Sequence, residues 1–165
     1  MKILYLTNHF PTPEYPGRPR YYNTCKWLVD NGHEVSVICN YIQNKKKFFH
    51  IHKGIKIYNL KINISYLDKS SILLRLFYYI LLSYKAFKLV VIFKNIDCII
   101  VGTPPLFLPI IGLFLGKIKK AKTVLEIRDL YPETAIALNY LNNKIIIKFW
   151  EFFENSVRVK FDYLV

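Results

Sequence analysis

Residues 1–40, MKILYLTNHFPTPEYPGRPRYYNTCKWLVDNGHEVSVICN, constrain the fold more than any other stretch of the chain. Lys2 to Thr7 is an apolar run of strand length. A loop with Pro11, Pro13, Pro16 and Gly17 follows it. Tyr21, Cys25, Leu28 and Val29 then recur at helical spacing, which predicts a helix from near Arg18 to Asn31-Gly32. A glycine just past a helix end supplies the left-handed residue that stops it. Glu34 to Cys39 is a second strand. Strand, loop, helix and strand in forty residues form one βαβ unit, and such a unit requires a parallel sheet.

The loop after the first strand of a parallel sheet is a ligand-binding position. Gly17 allows close backbone approach, and a helix beginning near Arg18 aims its free N–H groups at an anion. The alternative is that Gly17 only turns the chain. Neither a GxGxxG nor a GxxxxGK[ST] pattern is present, so the usual dinucleotide and P-loop signatures are absent.

A length of 165 residues is that of one domain, and 12 phenylalanines and 13 tyrosines supply a full core. Cys25, Cys39 and Cys98 are odd in number and have no metal-like spacing, so free thiols in a reducing compartment are expected, with no metal. The first apolar run is too short for a signal peptide and no cleavage site follows it.

After the second strand comes a basic run, Lys45-Lys46-Lys47, followed by Phe48, Phe49, His50, His52 and Lys53. Ile55 to Ile62 predicts a strand. Ser70 to Lys94 predicts one long helix without glycine or proline. Between Lys45 and Lys94 there are eleven Lys/Arg and one acid, Asp68, so +11 − 1 = +10 of the chain's net +13 belongs to this region. Lysines interleaved with Phe and Leu suit an anionic membrane surface, with Lys45, Lys46, Lys47, Lys53, Arg75, Lys85 and Lys88 at the headgroups and Phe48 and Phe49 at the acyl boundary. The alternatives are a solvated basic face over a core helix, and nucleic acid, for which no recognisable module is present, so none is expected. Leu76 to Tyr84, the helix's longest uncharged run, is far below the roughly twenty residues of a membrane span.

Cys98 to Gly116 is uncharged, but Gly102, Pro104, Pro105 and Pro109 interrupt it. A strand, a turn and a helix from Leu106 explain it better than a span. In the doubly wound order 3-2-1-4 this strand lies beside the first, so Thr103 and Gly17 face one cleft at the switch point, unless Thr103-Pro104-Pro105 merely starts the helix. Thr123 to Ile127 is the next strand. It leads into Arg128, Asp129 and Glu133, which with Glu126 make a dense charged group at a strand's carboxyl end. A carboxylate here can accept from a sugar hydroxyl or act as proton acceptor, and Arg128 can bind phosphate. The plainer alternative is an Arg128–Glu pair that holds the loop. A helix over Asn143 to Lys160, with Ile146, Phe149, Trp150 and Phe153 on one side, and a strand start at Phe161 to Val165 complete the chain.

Two blocks resemble a known family: Asn8 to Gly17 with Leu28-Val29 and Gly32-His33-Glu34-Val35, and Glu126-Ile127-Arg128-Asp129-Leu130-Tyr131-Pro132-Glu133. Together they resemble the N-terminal half of family-4 retaining GT-B glycosyltransferases of bacterial capsule, O-antigen and lipopolysaccharide assembly, in the branch that adds N-acetylfucosamine-type sugars to lipid-linked precursors. The resemblance covers the whole chain, which covers half of the family's fold. Where many relatives carry His-Asp this chain has Arg128-Asp129, so the histidine's role does not transfer.

The resemblance implies a single Rossmann-like, doubly wound, mainly parallel domain over residues 1–165 that binds the acceptor, without the donor-binding domain and inactive alone. It implies a retaining transfer from a nucleotide-diphosphate sugar to a lipid-linked saccharide, without metal or other cofactor, on the cytoplasmic face of the bacterial plasma membrane. Gly17 and Arg18 would approach the donor diphosphate or sugar. Thr103, Glu126, Arg128, Asp129 and Glu133 would line the acceptor side. Two alternatives remain: a non-catalytic membrane-bound subunit that recruits a separate catalytic one, and a free-standing nucleotide-binding module.

Overall fold

The computed structural model describes residues 1–13, 19–40, 48–62, 72–103, 107–128, 132–137, 139 and 142–165. Gly17, Arg18, Lys45, Lys46, Lys47 and Asp129, and the side chain of Arg75, lie outside what it describes.

Among the described residues, seven strands form one sheet in the order β3-β4-β2-β1-β5-β6-β7. They are β1 (Lys2–Leu6), β2 (Glu34–Cys39), β3 (Phe49–His52), β4 (Ile55–Asn59), β5 (Cys98–Gly102), β6 (Lys122–Glu126) and β7 (Tyr163–Leu164). Every pairing is parallel except β3 with β4. Leaving out β3, the strands run 3-2-1-4-5-6, the doubly wound order, and the direction of winding reverses between β1 and β5. The expected fold class, a single Rossmann-like domain with a mainly parallel sheet flanked by helices, is the one observed.

Alternation along β1 sorts the core into two layers. Ile3 and Tyr5 face α1 (Arg20–Asp30), packing with Tyr21, Tyr22 and Cys25. Leu4 and Leu6 face the opposite layer, where Tyr78, Leu82, Ala86 and Val90 of α2 (Ile72–Ile92) and Leu108 and Leu115 of α3 (Phe107–Lys119) cover the sheet. Both faces are dry, which is why the strands read as nearly unbroken apolar runs. α1 ends as expected: Gly32 has φ +80°, and the His33 N–H donates to the Leu28 carbonyl at 3.1 Å.

The structure revises two expectations. The stretch read as a basic run contains β3. Lys53 and Gly54 (φ 45° and 85°) form the two-residue turn of a hairpin with β4, a twist-matched geometry that needs positive φ at both positions. The strand expected from Ile55 to Ile62 stops at Asn59, whose side-chain oxygen accepts from the Lys61 N–H at 3.0 Å while Lys61 takes a positive φ. The last helix, α5 (Lys144–Arg158), is where it was expected, and Asn143 caps it. None of its residues is buried, and Phe149 is 60% exposed. A short helix, α4 (Glu133–Ala137), was not foreseen.

Candidate functional site at the carboxyl edge of the sheet

The carboxyl ends of β1, β5 and β6 meet where the winding reverses. Gly102 of β5 pairs with Glu126 of β6. Just beyond, the Thr103 N–H donates to the Glu126 carbonyl at 3.0 Å, and the Arg128 N–H donates to Thr103 Oγ1 at 3.2 Å. Thr103 is therefore the rivet between the two loops, not merely the start of a helix. Its carbonyl accepts from the Tyr21 hydroxyl at 3.0 Å. A Cβ on Gly102 would stand 2.6 Å from that hydroxyl, so glycine is what lets α1 approach β5 here.

Glu126 is the centre of the group. It is 3% exposed on the face toward α1. The Tyr5 hydroxyl donates to its Oε2. Arg20, at the first turn of α1 and half exposed, brings its Nε to 3.1 Å from Oε1, an ion pair without hydrogen-bond alignment. A buried carboxylate is tolerable only when paired in this way. Tyr5 and Tyr21 meet edge to face at 5.4 Å between centroids, and the Arg128 guanidinium lies 4.4 Å above the Tyr21 ring. Glu126 is thus paired with Arg20, and Arg128 stands over the neighbouring Tyr21 ring.

Burial and the adjoining Glu126 hold the Tyr5 phenol far above its ordinary range, so it is a neutral donor throughout the physiological range. Burial also raises Tyr21, with Arg128 acting against it. His9, on the loop after β1, is lowered by burial and by the positive charge of Arg128, so it stays neutral at pH 7. Beneath the edge, Tyr78 of α2 donates to Asn8 Oδ1 at 2.6 Å and accepts from Asn40 Nδ2 at 2.9 Å, tying the loops after β1 and β2 to α2.

Of the residues picked from the sequence, the structure brings together Thr103, Glu126 and Arg128. Glu133 stands apart: it is exposed at the start of α4, where its charge reaches Glu154 of α5. Among the described residues Arg128 makes no ion pair with a glutamate and its guanidinium lies over Tyr21, while the partner of Glu126 is Arg20. Tyr5, His9 and Arg20 were missed as site residues, and Tyr21 was read only as part of an apolar helix face. Tyr5 carried a signal, since a phenol inside an aliphatic buried strand needs a partner for its hydroxyl.

The basic region divides. Phe48 and Phe49 pack on Tyr58, and Lys53 sits in the hairpin turn. Lys85 is drawn inward to the Leu60 carbonyl at 3.3 Å, while Lys88 is exposed over the Tyr84 ring. Among the described residues, no helix is long and apolar enough to cross a membrane.

No protein-family profile and no curated sequence matches the chain. Among solved structures it is similar to the sucrose-phosphate synthase of Thermosynechococcus elongatus, with a TM-score of 0.65 at 9% identity. The match covers 99% of this chain and 41% of that one, so the chain spans less than half the length of its structural neighbour. That neighbour is a GT-B glycosyltransferase, and the likeness is one of fold.

Proposed function

We propose that this chain is the acceptor-side domain of a retaining glycosyltransferase, of the family-4 branch that builds bacterial capsule, O-antigen or lipopolysaccharide. It moves a sugar from a nucleotide-diphosphate sugar to a lipid-linked saccharide at the cytoplasmic face of the plasma membrane. The observation that carries this reading is the group at the switch point. Buried Glu126, two arginines and the Thr103 rivet are gathered at the strand ends, in a fold shared with a glycosyltransferase.

The chemistry suits a saccharide. Glu126 Oε1 has no aligned donor and can accept from a hydroxyl. Arg20, half exposed, can turn toward a phosphate while Tyr5 keeps the carboxylate hydrogen-bonded. Neutral His9 beside Arg128 adds a group able to donate or accept a proton. The donor nucleotide is held by a second domain that closes over this edge, and the domain is inactive without it.

The test is sugar transfer to lipid-linked acceptor in membranes, followed by mass spectrometry, with this domain and its donor-binding counterpart present together. Transfer with retained anomeric configuration is expected, and none from this domain by itself. Inversion, or no transfer from any nucleotide-diphosphate sugar, contradicts the reading. One observation favours a second reading, a non-catalytic subunit that recruits a catalytic one. α5 presents Ile145, Phe149 and Phe152 to solvent, an apolar ridge fit for a partner protein. That reading expects stable complex formation and undiminished transfer when Glu126 is replaced.

A further inference from the structure

α2 and α3 each bury one side and leave a second apolar stripe outside. On α2 it is Phe77, Ile80 and Tyr84, continued by Lys88 and Val91 at the same helical spacing. On α3 it is Ile110, Phe114 and Ile118. Phe87 and Phe114 meet at 5.9 Å between centroids, so the stripes lie side by side, with an apolar groove of about 270 Å³ between them walled by Ile80, Tyr84, Phe107 and Ile110. Neither helix contains an acidic residue. Among the described residues, the charges at the helical spacing of these stripes are lysines, Lys88 on α2 and Lys117 on α3.

The arrangement is polar along its length. Both helices return the chain to the start of a parallel strand, so both run opposite to the sheet. Their last turns are side by side, and Lys119 closes the end of α2 by donating to the Val91 and Phe93 carbonyls at 2.8 and 2.7 Å. The lysines thus collect at one end, and Phe77, Ile80 and Ile110 at the end toward the carboxyl edge that bears Thr103, Glu126 and Arg128.

We propose that this two-helix face seats in an anionic lipid surface, with Phe77, Ile80, Tyr84, Ile110 and Phe114 at the acyl boundary and the lysines on lipid phosphates. The proposal deepens the glycosyltransferase reading, in that a lipid-linked saccharide held in the same surface arrives at the candidate site. Charge decides the occupant. Two copies of this face would set lysine against lysine if docked in parallel, and lysine against Phe77 and Ile80 if docked antiparallel, whereas an anionic bilayer complements the cations and takes up the aromatic side chains. Of the residues expected from sequence at a membrane, Lys88 lies on this face, while Phe48 and Phe49 stand partly exposed beside Tyr58 and are not part of it.

The experiment is vesicle co-sedimentation with phosphatidylcholine alone and with added phosphatidylglycerol, at low and high salt. It compares the wild type with Ile80→Asp and Phe114→Asp, both half exposed, and with Ile145→Asp on α5 as control. Wild type and control are expected to bind only the anionic vesicles and to release in salt. The two α2/α3 variants are expected to lose about tenfold in binding. Lys88→Glu with Lys117→Glu, which leaves the apolar side chains intact, is expected to do the same. The proposal is overturned if the wild type ignores anionic vesicles, if all variants bind equally, or if binding gives way to dimerisation that the same substitutions abolish. Transfer to a soluble saccharide acceptor, with the donor-binding counterpart present, separates the two readings: transfer by a wild type that ignores anionic vesicles means that only the membrane face is wrong, and no transfer by the wild type means that the glycosyltransferase reading is wrong.

Discussion

Tyr5 and Glu126 are a matched buried pair. The phenol has no other described acceptor, and Glu126 Oε2 has no other described donor. Tyr5→Phe keeps the ring against Tyr21 and removes only the donor, leaving a carboxylate oxygen unsatisfied beneath the sheet edge. A loss of about 1–3 kcal/mol is expected in urea unfolding, with an unchanged m-value. His9 gives the pH dependence. Its folded-state pKa is lowered, so the unfolded chain binds the proton more readily. The stability it protects is present above the ordinary histidine range near pH 6.5, and is lost as pH falls through that range toward the folded value. The midpoint for urea unfolding is therefore expected to fall between pH 7.5 and 5.5, and to fall less in His9→Gln. An equal slope in the variant would assign the effect to other groups.

Among the elements, α3 shows how tightly the doubly wound layers close. A Cβ on Gly112 would overlap the Val101 side chain of β5, and one on Gly116 would overlap Thr123 of β6. Glycine to alanine inside a helix ordinarily gains about 1 kcal/mol. Here the overlap reverses the sign: Gly112→Ala is expected to cost about 1–3 kcal/mol. Combined with Val101→Ala the two losses are expected to be less than additive, a coupling that a double-mutant cycle reads directly.

These close approaches explain what the sequence could and could not reveal about elements. β1, β2, β5, β6, α1, α2 and α3 were legible because each pairs an unbroken apolar run or a helical stripe with a clear stop. β3 was not, because at the sheet edge its pattern alternates Phe and Ile with half-buried histidines and looks like a solvated basic stretch. The apolar side of α5 was legible as a stripe, but a stripe does not say whether the molecule itself covers it.

At the scale of the whole molecule, the order of strands followed from one βαβ unit and a second strand that had to lie beside the first. The winding reversal between β1 and β5 then fixed where a ligand belongs. Of the candidate site, Thr103, Glu126 and Arg128 were legible because they are polar at the ends of apolar strands. Arg20 and Tyr5 were not, since their role exists only once α1 folds back over β5 and brings three distant segments onto one carboxylate. The site's specificity is therefore a tertiary property, and a variant that leaves the fold intact can probe it. Arg128→Ala is such a variant: its backbone N–H still holds Thr103, and only the guanidinium above Tyr21 is lost.

The most direct measurement is kcat/KM for the lipid-linked acceptor in the assembled transferase, for the wild type and Arg128→Ala, with unfolding midpoints recorded beside it. A loss of at least about tenfold, roughly 1.4 kcal/mol of transition-state binding, with little change in midpoint, is the result expected if this edge holds the acceptor. Equal kcat/KM in a folded Arg128→Ala enzyme would contradict that assignment.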